Sequence, residues 1–173
     1  MIAEPVPVRV RRATPNDAVA VDAVYLDSWN EGFGDLLGRR AASADRLERW
    51  YAALSGGDVG WWVAERDGTV VGLVGLGVAE DPPNGTIAEL DAIAVAPAHW
   101  RTGVGRALME LAVGQLSRRF DEAILWTPAR YERGHAFYRA TGWEADGAER
   151  AGGAHVRFRR SLPQGPGRRA TRG

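Results

Sequence analysis

The chain has 173 residues, 45% of them apolar, which suits one globular domain burying about 70% of the surface its unfolded chain would expose. Its 22 basic and 22 acidic residues give a formal charge of zero, which argues against general attraction to nucleic acid or to a membrane surface. The lack of cysteine excludes disulfides, thiolate metal sites and a cysteine nucleophile, and the lack of lysine leaves no side-chain amine that the protein could acylate on itself. His99, His135 and His155 are too widely spaced to make a metal motif. The opening residues MIAEPVPVRV lack a basic region followed by an apolar run, and no stretch approaches the ~20 apolar residues that span a bilayer; a cytoplasmic protein is expected.

Residues 8–12 read as a first strand. Thr14-Pro15-Asn16-Asp17 then combines an N-cap threonine, a proline at the first helical position and an early acid, so a helix starts there. Its apolar residues Val21, Val24, Tyr25 and Trp29 fall on one stripe. Residues 30–38 read as a glycine-containing loop, and residues 43–54 as a second helix with Leu47, Trp50, Tyr51 and Leu54 on one face, ended by Gly56-Gly57. Residues 61–65 and 69–78 are β-rich runs joined by the hairpin signal Arg66-Asp67-Gly68. A turn cluster at residues 81–85 precedes a strand over 87–95, a helix over 102–118 and a strand over 123–127. A short helix over 132–140, stopped by Thr141-Gly142, and a closing pair at 143–145 and 154–160 complete the domain, residues 1–161. Residues 162–173, rich in Gly, Pro and Arg, read as a disordered polar tail in which Arg168, Arg169 and Arg172 favour solubility. Hairpin-linked strands followed by helix-linked ones make a mixed sheet, so the class is α+β with a βαβ core.

The segment ELDAIAVAPAHWRTGVGR, residues 89–106, joins an apolar strand through Pro97 to a glycine-spaced turn that opens a helix. Gly103 and Gly105 allow a tight turn and close approach of a bound group. The first helical amides have no carbonyl partner within the helix, and with the positive end of its dipole and the charges of Arg101 and Arg106 they suit a phosphate or diphosphate. A dinucleotide fingerprint fails on context: its third glycine position is Leu108, and the turn lies past mid-chain.

Three segments in this order, WWVAERDGTVVGLVGLG (61–77), AELDAIAVAPAHWRTGVGRALM (88–109) and ILWTPARYERGHAFYRATGW (124–143), resemble the GNAT superfamily of acetyl-CoA-dependent N-acetyltransferases. The likeness spans residues 8–160 and implies a mixed central sheet flanked by helices: strand, two helices, three strands, helix, strand, helix, two strands. It implies that the backbone of Ile93, Ala94 and Val95 hydrogen-bonds the pantetheine arm as an added strand would. It also implies that the diphosphate sits on Arg101, Thr102, Gly103, Val104, Gly105 and Arg106. The chain departs from the family at Trp100, where a glutamine or arginine side-chain donor is usual, and at Tyr131, where many members carry an asparagine.

Direct acetyl transfer to an amine needs a base, a polarised thioester carbonyl and an acid for the leaving thiolate. Glu89 matches the family's general-base glutamate and acts directly or through water; Asp91, on the same face of the strand, is the fallback. Tyr138 matches the tyrosine that protonates the departing sulfur, with neighbouring Phe137 expected to take the core position. A backbone amide near Val95 is expected to polarise the carbonyl. Trp29, Glu31, Phe33 and Asp35 match the region that shapes the acceptor pocket, where aromatic walls and carboxylates suit a cationic amine. His99 and His135 flank the two cofactor segments, and Trp61-Trp62 should give one core and one surface residue. The expected co-substrate is acetyl-CoA without a metal, and the expected partner an amine-bearing acceptor. Dimers are common in the family, and the tryptophans suit a homodimer interface. A non-catalytic acyl-CoA-binding module is the alternative, against which the retention of Glu89 and Tyr138 argues.

Overall fold

The computed structural model describes residues 7–56, 59–80 and 85–164. Along the chain run β1 (Arg9–Arg12), a 3-10 turn (Pro15–Asp17), α1 (Ala18–Gly32), α2 (Gly34–Leu37), α3 (Ala44–Leu54), β2 (Gly60–Arg66) and β3 (Thr69–Val78). They are followed by β4 (Ala88–Val95), a second 3-10 turn (Pro97–His99), α4 (Val104–Leu116), β5 (Glu122–Pro128), α5 (Glu132–Ala140), β6 (Glu144–Arg150) and β7 (His155–Ser161). The strands form one seven-stranded sheet in the order β1-β2-β3-β4-β5-β7-β6, parallel between β4 and β5 and antiparallel at β1–β2, β5–β7 and β6–β7. This is the mixed α+β sheet with flanking helices that the sequence implies. The chain divides into two compact units, residues 1–75 with 92–110 and residues 76–91 with 111–173.

In the first unit, the expected N-cap Thr14 and early acid Asp17 form a capping box: the Thr14 amide donates to Asp17 Oδ2 at 2.8 Å. Arg11 donates to both Asp17 oxygens at 2.8 Å and reaches Glu65. These hydrogen bonds, Arg11 first, outweigh the effect of burial and hold the Asp17 carboxyl down at about 2, against an ordinary 3.8. Because the folded value is depressed, the stabilisation is complete above the ordinary carboxylate range and is lost as pH falls through about 2. Asp17→Asn is therefore expected to lower unfolding free energy by about 2 kcal/mol near neutrality, with the difference shrinking in urea titrations run toward pH 2.

The core of this unit packs Val21 and Val24 of α1 with Trp50 and Leu54 of α3 and Trp61, Val63 and Leu73 of the sheet. Trp50 meets Trp61 edge-on at 5.0 Å, while Trp62 carries Arg12 over its ring, so the paired tryptophans divide as expected into a core and a less buried position. Two expectations change. Tyr51 is exposed, and α3 instead buries Arg46, whose guanidinium pairs with Asp22 and donates to Ala41 O. Residues 30–38 are not a plain loop: α1 continues to Gly32 and Gly34–Leu37 make a further helical turn. The β2–β3 turn has Asp67 at φ 51 and Gly68 at φ 72, the two left-handed residues of a tight type I′ hairpin.

The second unit holds β5, α5, β6 and β7. Gly142, at φ 89, turns the chain out of α5, and Trp143 N–H reaches back to Tyr138 O. Strand β6 is longer than its expected three residues, continuing to Arg150 through an irregularity between Ala145 and Glu149. Asp146 braces that irregularity by accepting Ala148 N–H, Arg157 and Arg159. Leu162, assigned from sequence to the tail, is 6% exposed and donates its N–H to Asp121 O. Residues 165–173 of that tail, most of the turn cluster at 81–85, and Gly57 lie outside the described residues.

Candidate active site

The anion turn belongs to the first unit. Strand β4 ends at Val95, Ala96 N–H bonds to Val71 O, and the Pro97–His99 turn redirects the chain. Arg101 at φ 63 and Gly103 at φ 90 are both left-handed and flank Thr102. The first backbone bond of α4 runs from Ala107 N–H to Gly103 O (3.0 Å), which leaves the Val104, Gly105 and Arg106 amides without intrahelical acceptors. Arg101, Thr102, Gly103 and Arg106 are exposed, Val104 is buried and Gly105 is half-buried. No atom stands within 4 Å of a Cβ built on Gly103, so its need for glycine is conformational. The start of α4 is fixed from behind, since a Cβ on Gly72 would come within 2.9 Å of Leu108 and 3.0 Å of Val104.

Two side chains fasten this turn, and neither role was read from sequence. Trp100 Nε1–H donates to Val95 O at 2.7 Å. The indole that stands in place of the family's glutamine or arginine ties the turn to its own strand and engages one carbonyl of the Ile93–Ala94–Val95 run. Arg66 donates to Thr102 Oγ1 (3.0 Å) and Thr102 O (3.1 Å), while the Thr102 hydroxyl donates to His99 O (2.7 Å). His99 thereby contributes a backbone acceptor.

The acid–base candidates belong to the second unit. The parallel register pairs Ala88 with Ala123 and Glu89 with Ile124, so Glu89 and Asp91 share a face with Ile124 and Trp126. Glu89 is half-buried and Asp91 is more open to water. Burial raises the Glu89 carboxyl first, the charges of Asp91 and Glu80 add to the shift, and Arg150 opposes it. The Asp91 carboxyl is raised by its protein surroundings and by Glu80, again against Arg150. Arg150 stacks over Trp126 at 4.6 Å, with Arg157 over the same ring at 5.5 Å.

Tyr138 lies on the opposite face. Leu125 pairs with Phe158, and the Tyr138 ring packs on Phe158 with centroids 5.7 Å apart. Tyr138 is 9% exposed, whereas Phe137 is only half-buried, so the core position falls to Tyr138 and the expectation for Phe137 is reversed. Burial, with a smaller contribution from Tyr131, pushes the phenol well above its ordinary value; nearby Thr127 pulls the other way. The Thr127 hydroxyl is itself buried without a partner at ordinary hydrogen-bond geometry. Tyr131, the second departure from the family, lays its ring on Gly134, where a Cβ would come within 2.2 Å of Cδ1. His135 Nε2 meets Pro128 O at 3.0 Å and its ring packs on Phe158, a helix-anchoring arrangement.

In the first unit, the aromatic residues expected to line an acceptor pocket are partly engaged. Trp29 and Phe33 stand 5.0 Å apart, but the Arg40 guanidinium lies 3.3 Å from the Trp29 ring centroid and the Asn30 side chain clasps the Arg40 backbone. Glu31 and Asp35 are exposed. Among the described residues, no group of three or more His, Cys, Asp or Glu could hold a metal ion, and no helix is long and apolar enough to cross a membrane.

The strand, glycine turn and helix build an anion site, and a family comparison places it among acetyltransferases. The model for the acetyltransferase (GNAT) family matches residues 21–143, and the chain belongs to that family. No curated protein matches it. Among solved structures, it is similar to an acetyltransferase from Thermus thermophilus (TM-score 0.74, 16% identity, covering 91% of this chain and 98% of that one). It is also similar to the ribosomal-protein-alanine N-acetyltransferase of Brucella melitensis (0.72, 22%, 89% and 99%). A third similar structure is the PaiA N-acetyltransferase of Thermoplasma acidophilum in complex with coenzyme A (0.69, 17%, 90% and 99%).

Proposed function

We propose that this protein transfers the acetyl group of acetyl-CoA to a primary amine by direct attack in a ternary complex. The observation that carries the reading is the anion turn, where left-handed Arg101 and Gly103 lead into helical amides that have no intrahelical acceptor. Family membership supports acyl transfer. The coenzyme A complex of the Thermoplasma relative and the N-acetyltransferase names of two neighbours support this cofactor and an amine acceptor.

In this reading the amides of residues 102–106 and the charges of Arg101 and Arg106 take the diphosphate, and the backbone of Ile93, Ala94 and Val95 takes the pantetheine. Glu89, directly or through water, removes a proton from the acceptor ammonium, and its burial-raised pKa makes it a stronger base than an exposed glutamate. The amine nitrogen bonds to the acetyl carbon, the C–S bond breaks and Tyr138 protonates the thiolate; the second proton that the nitrogen sheds on becoming an amide restores the phenol, so one proton is released to solvent per turnover. The reaction so written requires no metal.

Gly103→Val places a β-branched residue at φ 90 and is expected to weaken coenzyme A binding at least tenfold, about 1.4 kcal/mol. Calorimetry on the folded variant that returns the wild-type affinity would remove the basis of the assignment. A panel of amines assayed by release of the coenzyme A thiol identifies the acceptor, and binding without turnover on any amine would favour a non-catalytic acyl-CoA module.

A further inference from the structure

We propose that Arg66, the last residue of β2, is a positioning residue for the coenzyme diphosphate, acting through Thr102; the inference rests on the acetyl-CoA reading above. Its guanidinium holds Thr102 at two points, Nη1 on the hydroxyl at 3.0 Å and Nη2 on the carbonyl at 3.1 Å. The peptide bond joining Thr102 to Gly103 is planar and trans, so its C=O and N–H point in opposite directions. Fixing the Thr102 carbonyl on Arg66 therefore turns the Gly103 N–H away from Arg66. Left-handed residues on either side of Thr102 bend successive amides toward one concave side, the arrangement that binds an anion. Arg101 bears a Cβ and holds that conformation at φ 63, which persists only where the surroundings enforce it.

The Arg66 side chain is not placed for its own satisfaction. Its Nε is buried without a hydrogen-bond partner, while both terminal nitrogens serve Thr102. The Thr102 hydroxyl is engaged twice, accepting from Arg66 and donating to His99 O, so the turn is braced from the hairpin and from the preceding 3-10 turn. Arg66 also brings a permanent positive charge beside the turn, where a diphosphate carries its negative charge.

The test compares wild type, Arg66→Met and Arg66→Lys by coenzyme A calorimetry, with the Gly103 amide followed by NMR in the free proteins. Arg66→Met is expected to bind about tenfold more weakly and to shift the Gly103 amide resonance. Arg66→Lys retains the charge but not the two-point fork, and a loss of about two- to fivefold is expected. Wild-type affinity in Arg66→Met overturns the proposal. So does full recovery by lysine or an unmoved Gly103 amide, because either makes Arg66 a mere charge. If Arg66→Met does not fold, Arg66→Lys decides alone, and wild-type affinity there overturns the proposal. A wild-type protein that binds no coenzyme A refutes the acetyl-CoA reading itself and, with it, the diphosphate role.

Discussion

Tyr138→Phe is expected to lower kcat by about a hundredfold while leaving acetyl-CoA affinity within about twofold of wild type. The substitution keeps the ring that packs on Phe158 and Phe137, so the fold and the α5 contact survive. Only the hydroxyl is lost. Burial holds that phenol neutral throughout the physiological range, so its proton is available for the thiolate at every working pH, and its own titration adds no limb to the rate profile there. A thiolate expelled into the same apolar surroundings is likewise destabilised, which favours taking that proton. An effect confined to kcat marks an interaction made in the transition state. Equal turnover by both proteins on an acceptor identified by the amine panel makes the hydroxyl structural.

Glu89→Gln is expected to slow transfer by about a hundredfold near neutral pH and by progressively less at alkaline pH. The base works deprotonated, and burial and Asp91 raise its pKa, so wild-type kcat/KM climbs as pH rises through that raised value or through the pKa of the acceptor amine. Glutamine keeps the shape and cannot accept the proton. At high pH the amine sheds its proton unaided and the variant catches up. Superimposable pH–rate profiles move the role to Asp91 or to ordered water, whereas a uniform loss at every pH indicates a displaced strand.

Local chemistry was legible wherever one short segment carries the whole cause. Thr14-Pro15-Asn16-Asp17 begins a helix, Asp67-Gly68 makes a tight hairpin, and Gly103 turns the chain before α4, because each needs only its immediate neighbours. Contacts closed over long separations left no mark. Nothing beside Arg66 points to Thr102, and the indole N–H of Trp100 reads as a lost amide until its carbonyl partner is seen. Adjacent aromatic residues on a nine-residue helix are 100° apart, too little for periodicity to choose between Phe137 and Tyr138. Residues 30–38 read as a loop from Gly32 and Gly34, yet the loop tightens into a helical turn because Leu36 and Leu37 bond back to Phe33 O. The extension of β6 depends on Asp146 gathering two arginines of β7, a tertiary cause absent from the local pattern.

Glu89 lies on one face of β4 and β5 and Tyr138, on α5, packs against the other, and in the proposed reaction this separates the proton taken from the ammonium from the one given to the sulfur. A single side chain cannot carry the ammonium proton across to the sulfur. In that reaction Glu89 passes the first ammonium proton to water, while the proton that the nitrogen sheds on becoming an amide restores the buried Tyr138 phenol, so each turnover releases one proton and only the Glu89 side need open to solvent.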